Sequence, residues 1–150
     1  MPRQEDRRAR SAPLRGEPAS RPRVVVVEDS ALILEYVARL LAKEFTVAAV
    51  FVDAESFLDQ WHGTAPDVIV LDVSLPGVSG LEAAVHLRRA GCEVPMVFCS
   101  VHEDGEIVHA ARATGALGYV AKRDLGADLV PALRAVLSGH SFLSSVIELS

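Results

Sequence analysis

From Arg23 onward the chain alternates short aliphatic, largely β-branched runs with longer stretches of helical period, and that alternation limits the fold more than any other feature. The runs are residues 24–27, 46–52, 68–71, 94–99 and 117–121. Because they are near-continuously apolar, all five are expected to be strands buried on both faces, as a parallel sheet requires. Helices are expected at 31–42 behind Ser30, 54–61 behind Asp53, 81–89, 104–113 and 126–137. Gly63, Gly91, Gly115 and Gly139 stand where helices should stop. Five βα repeats predict an α/β fold, a flavodoxin-like (βα)5 doubly wound parallel sheet of strand order 2-1-3-4-5.

Charge divides the chain differently from hydropathy. The net charge of −5 is the sum of a +4 stretch over residues 1–23, with seven Arg against Glu5, Asp6 and Glu17, and a remainder at −9, with eight basic and seventeen acidic side chains. Residues 1–22 also hold four of the eight prolines and little apolar surface beyond Leu14, so they read as a disordered Arg/Pro-rich tail. Those acids and prolines spoil the amphipathic helix of an organelle transit signal. The expected division is therefore a tail over 1–22, one folded domain over 23–143 and a C-terminal extension over 144–150. An acidic body argues against nucleic-acid binding by the folded part. No apolar run approaches the ~20 residues of a membrane span, and the N-terminus lacks a secretory apolar stretch, so a soluble, cytoplasmic protein is expected. Cys92 and Cys99 lack metal or disulfide spacing and read as buried or loop thiols.

In a doubly wound sheet, ligands bind outside the carboxyl ends of the strands. Strand one runs into Glu28 and Asp29, strand three into Asp72, strand four into Ser100 and strand five into Lys122. Taken singly, each has an ordinary explanation: a helix cap, a turn residue, a solvated lysine. Together they bring three carboxylates, a hydroxyl and an ammonium to one edge. Neighbouring carboxylates raise one another's pKa unless a cation intervenes, and an all-oxygen cluster suits a partly hydrated Mg²⁺ better than Zn²⁺. Transfer of a phosphoryl group onto a carboxylate needs this combination of charge neutralisation and alignment, and it leaves an acyl phosphate.

The stretches Val24-Val25-Val26-Val27-Glu28-Asp29-Ser30, Val70-Leu71-Asp72-Val73-Ser74-Leu75-Pro76-Gly77, Cys99-Ser100 and Gly118-Tyr119-Val120-Ala121-Lys122 resemble the receiver domain of two-component response regulators. The end of the last helix and Gly139 to Ser144 resemble receivers of the NarL/LuxR type. That resemblance implies Asp72 as phosphoacceptor and Asp29 as a direct Mg²⁺ ligand, with Glu28 acting mainly through water and the Ser74 carbonyl completing the coordination. It further implies Ser100 and Lys122 on the phosphoryl oxygens and Tyr119 as the aromatic that follows Ser100 when the switch moves. Ser74 and His102, each two residues past a site residue, would border the acyl phosphate and tune its lifetime. Three positions depart from the common pattern: Arg123 in place of proline, Val101 in place of alanine, and Glu28 in an acid pair that is more often Asp-Asp.

The resemblance implies a signalling module, not an enzyme with a separate substrate. It would take phosphate from a histidine kinase or histidine phosphotransfer protein and present a face of fourth helix, fifth strand and fifth helix to a downstream protein partner, with a homodimer also open. Phosphorylation would turn Tyr119 inward and alter the surface between Asp104 and Leu133. A stand-alone receiver and one cut from a longer DNA-binding regulator are both compatible with the sequence. Two other classes compete. A haloacid-dehalogenase-like phosphohydrolase also uses an Asp nucleophile and Mg²⁺, but it wants an acid where Ser74 stands. A phosphate-independent scaffold is favoured by loss of an acid or the lysine, and none is lost here. His102 and His109, seven apart with no third ligand, read as surface residues rather than a metal pair, and Trp61 reads as packing or interface.

Overall fold

A computed structural model describes residues 20–149. The elements are β1 (Arg23–Val27), α1 (Ala31–Leu41), β2 (Thr46–Phe51), α2 (Ala54–Gln60), β3 (Val68–Asp72), α3 (Gly80–Arg89), β4 (Met96–Ser100), α4 (Gly105–Ala113), β5 (Gly118–Ala121), α5 (Leu125–Leu137) and β6 (Phe142–Leu143). Short 3-10 turns cover Trp61–Thr64 and Lys122–Asp124. All paired strands are parallel, in the order β2-β1-β3-β4-β5-β6. The predicted order therefore holds, with a short sixth strand added beyond β5.

Period-two alternation sorts the strand side chains between two cores. Val25, Val27, Ile69, Leu71, Met96 and Phe98 face α2, α3 and α4, where Phe57, Leu87 and Val108 meet them. Val24, Val26, Val68, Val70, Val97 and Val120 face α1 and α5, against Val37, Leu41, Leu129 and Leu133. A fully buried aliphatic side chain is worth roughly 1.5–3 kcal/mol, so the four central strands anchor the molecule. β2 departs from the expectation of burial on both faces. It is an edge strand with Thr46 and Val50 exposed, and β1 meets it through a register shift between Val24 and Val25. An irregular edge of this kind discourages pairing with another sheet.

Ser30 and Asp53 cap their helices as expected, whereas Ser79 caps α3 without having been expected to and Asp104, expected inside α4, caps it instead. The side chains of Ser30, Asp53, Ser79 and Asp104 accept from backbone N–H groups of α1, α2, α3 and α4, and Ser79 with Glu82 makes a reciprocal capping box. Gly91, Gly115 and Gly139 take positive φ just beyond α3, α4 and α5, as expected. Gly63 does not stop a helix: α2 runs into the 3-10 turn, and Ala65 takes the left-handed conformation after it. Trp61 opens that turn, stacks on His62 and packs on the core. Cys92 and Cys99 are buried, unpaired thiols.

Most of the expected tail, residues 1–19, lies outside the described residues. Its last part is in place: the Arg21 guanidinium donates to the Ala42 carbonyl at 2.6 Å, and the Pro22 carbonyl accepts from Thr46 N–H at 2.9 Å. At the other end, residues 144–149, expected as an extension, pack on the domain through buried Ser144 and Ile147. Among the described residues no helix is long and apolar enough to cross a membrane.

Candidate functional site

The carboxyl ends of β1, β3, β4 and β5 converge as expected. Asp72, the last residue of β3, is only 4% exposed. Its Oδ1 accepts from Ser74 N–H at 3.0 Å, and its Oδ2 accepts from Lys122 Nζ at 2.9 Å. The same ammonium lies 2.8 Å from Glu28 Oε1, and Glu28 Oε2 accepts from Ser30 N–H at 3.0 Å. Lys122 thus bridges two buried carboxylates from two strands. Asp29 stays exposed beside them, and carboxylate oxygens of Glu28, Asp29 and Asp72 lie within 4.8 Å of one another.

Burial pushes the Glu28 carboxyl above its ordinary value, with the Asp72 charge adding to the rise and Lys122 opposing it. Burial by itself would depress Lys122, but hydrogen bonds and charge from Glu28 and Asp72 outweigh it and hold the ammonium above its ordinary value. Each group is thus perturbed by the other's presence, a pattern common at functional sites. The donor set is entirely oxygen, carries three acids against one lysine and leaves one acid open to solvent, which fits a hard divalent cation. Cys99 sits beneath the site but takes no part, because burial pushes its thiol up to about 12 and keeps it neutral.

The loop after Asp72 is set by close packing. A Cβ on Gly80 would come 1.8 Å from the Asp72 carbonyl oxygen, and Gly80 N–H donates to the Val73 carbonyl at 2.9 Å. Only glycine lets α3 start this close to the acceptor strand. Gly80 is visible in the sequence, but the backbone it avoids is not.

Ser100 and Tyr119 belong to a chain of neutral hydrogen bonds. Ser100 Oγ accepts from His102 N–H at 2.9 Å, and the Tyr119 hydroxyl donates to the His102 carbonyl at 2.7 Å. Tyr119 is 1% exposed, so it is turned inward here; the sequence-based expectation had reserved that position for the phosphorylated state. Burial pushes its phenol up, and contact with Ser100 only partly opposes this, so the hydroxyl stays a donor. His102 is no lone surface histidine. Its Nε2 lies 2.8 Å from Ser74 Oγ, linking the loop after β3 to the loop after β4. Arg123, where proline is common, makes a two-pronged pair with Glu103, both contacts at 2.8 Å. Val101 is exposed, and His109 takes no part in the site.

The response regulator receiver domain family matches residues 24–134, the stretch that supplies every one of these side chains. The chain belongs to that family. The receiver resembles, at 32% identity and a TM-score of 0.81, the crystal structure of a LuxR-family two-component response regulator from Aurantimonas sp. SI85-9A1, with 85% of this chain and 93% of that one covered. It is 34% identical to the transcriptional regulatory protein DegU of Brevibacillus brevis over 80% of this chain and 52% of the relative. It is 32% identical to the response regulator GacA of Pseudomonas viridiflava over 83% and 59%. The receiver thus spans little more than half the length of the DegU and GacA relatives.

Proposed function

We propose that this receiver accepts a phosphoryl group on Asp72, with Mg²⁺ bound by Glu28, Asp29, Asp72 and the Ser74 carbonyl, from a histidine kinase or histidine phosphotransfer protein. The observation that carries the proposal is Asp72 itself: a buried carboxylate at a strand end, held by a lysine that also holds Glu28. In the transfer, an Asp72 oxygen forms a bond to phosphorus as the donor's phosphorus–nitrogen bond breaks, and the imidazole leaves with its electron pair. Mg²⁺, when bound, supplies positive charge to the phosphoryl oxygens. Lys122 follows the developing negative charge from Asp72 Oδ2, and Ser100 turns its hydroxyl from the His102 amide toward a phosphoryl oxygen. Ser74 N–H on Oδ1 holds the carboxylate plane during attack.

The output is a change of protein contacts, so the chain acts as a signalling domain that promotes only its own phosphorylation and slow dephosphorylation. The net charge of −9 after Arg23 disfavours nucleic acid as the partner of the folded body, and a soluble, cytoplasmic setting fits a kinase-fed receiver. Ser74 in place of a second acid disfavours the phosphohydrolase reading, and retention of all three acids and the lysine disfavours a phosphate-independent scaffold.

The test is incubation with acetyl phosphate and Mg²⁺, followed by intact mass. A single labile phosphoryl adduct is expected, absent in Asp72→Asn. An adduct that survives in Asp72→Asn would move the acceptor elsewhere, and none in either protein would leave the scaffold.

A further inference from the structure

The face made by α4, β5 and α5, where a downstream partner is expected, is covered by the chain itself. After α5 the chain turns at Gly139, adds β6 to the edge of β5 and continues through residues 144–149. Ser144 is the polar anchor. Its N–H donates to the Tyr119 carbonyl at 3.1 Å, and its hydroxyl accepts from Ala121 N–H at 3.0 Å and donates to Asp128 Oδ2 of α5 at 2.6 Å. Ile147, 6% exposed, is the apolar anchor, in the same buried cluster as Val108, Ala111 and Tyr119. Farther on, the Glu148 carbonyl and Leu149 side chain lie over Gly105, 3.9 and 4.0 Å from where its Cβ would stand. The segment therefore bridges α5 to the start of α4 across β5.

We propose that residues 142–149 are a self-docked strap that closes the α4–β5–α5 face, and that phosphorylation loosens it so that a partner can dock there. The proposal rests on the reading of Asp72 as phosphoacceptor. Two connections lead from the site to the strap. When Ser100 Oγ turns to a phosphoryl oxygen, the His102 N–H loses its acceptor. The His102 carbonyl is the acceptor for the Tyr119 hydroxyl, and the Tyr119 carbonyl holds Ser144. Asp104, two residues past His102, caps α4, whose first residue lies under the strap. A shift of residues 101–104 thus disturbs the strap from both of its ends. The strap's own contacts define the partner that fits: an extended segment that adds a strand to β5 and places one aliphatic side chain where Ile147 sits.

Amide exchange on the full chain, with and without acetyl phosphate and Mg²⁺, tests this when intact mass is read on the same samples. The expected result is an adduct together with exchange at Ser144 and Ile147 faster by about tenfold, a local opening and not global unfolding. An adduct with unchanged exchange at those amides overturns the strap alone. Absence of any adduct overturns the phosphoacceptor reading and the strap's control with it. Because coupling is reciprocal, Ile147→Ala should bind beryllofluoride with Mg²⁺ about threefold or more tighter than the parent. Equal affinity in a variant whose core exchange is unchanged also overturns the proposal.

Discussion

At the ends of β1 and β3, all four oxygens of Glu28 and Asp72 are held by the Lys122 ammonium or by the backbone N–H groups of Ser30 and Ser74, whereas the contacts that join Ser100 to Tyr119 are neutral and run through the His102 backbone. The first half is fixed by the cost of leaving a buried carboxylate uncompensated, which reaches several kcal/mol. The second is fixed by single neutral hydrogen bonds, worth about 1 kcal/mol each, and such bonds exchange partners readily. The site therefore separates its chemistry from its switch. Under the proposed function, the rigid half would receive the phosphoryl group and the exchangeable half would report its arrival.

Lys122→Ala should break this contrast most severely. Two buried carboxylates would lose their shared cation, so stability in the absence of Mg²⁺ is expected to fall by about 3 kcal/mol. Urea unfolding measures this, and added Mg²⁺ should restore part of the loss. Acetyl phosphate labelling should slow by about 100-fold, as when one preorganised donor is removed from a site of developing charge. A variant as stable as the parent without Mg²⁺ would mean that the carboxylates are not held by this ammonium.

If Mg²⁺ binds as proposed, proton and metal compete on the same half, which gives the next effect. The Glu28 carboxyl lies above its ordinary value of 4.5, so its contribution favours folding below that value and is lost as pH rises through the raised one. Lys122 lies above 10.5, so its contribution persists through neutral pH and is lost as pH rises through its own raised value. Between the two, Glu28 is an anion that a divalent cation can relieve. Stabilisation by Mg²⁺ at 100 times its pH 7 dissociation constant is expected to be about 2.7 kcal/mol at pH 7 and to shrink as pH falls toward 4.5. Thermal unfolding with and without Mg²⁺ across that range checks it, and an equal increment at both ends would sink the competition.

The two halves also differ in how far they could be read from sequence. Glu28, Asp29, Asp72 and Lys122 sit at the ends of apolar runs, and in a parallel sheet strand ends share one edge, so the acidic half follows from periodicity and topology. The switch half does not. The bond from His102 to Ser74 depends on where two loops of irregular backbone place their side chains, and no spacing rule links residues 28 apart. β6 is two residues long, too short for a strand pattern, and Ile147 lies in a segment whose composition resembles an ordinary extension. β2 was over-read for a related reason. A run of apolar residues does not distinguish a central strand from an edge, because that depends on the neighbour beyond it.

The smallest effect tests the seam between the halves, the 2.8 Å contact of Ser74 Oγ with His102 Nε2. It joins the loops after β3 and β4, and under the proposed function it would border a phosphorylated Asp72. If the pair works as one closure, removing either partner opens the same path. Ser74→Ala and His102→Ala should then each speed hydrolysis of the acyl phosphate about threefold to fivefold, consistent with one lost neutral hydrogen bond of about 1 kcal/mol. The double variant should be no faster than the faster single, because nothing remains to be broken. Hydrolysis is followed by loss of the mass adduct after the phosphodonor is removed. Rates that multiply in the double variant would show that the two side chains act independently, and the seam would then be two separate contacts on two loops.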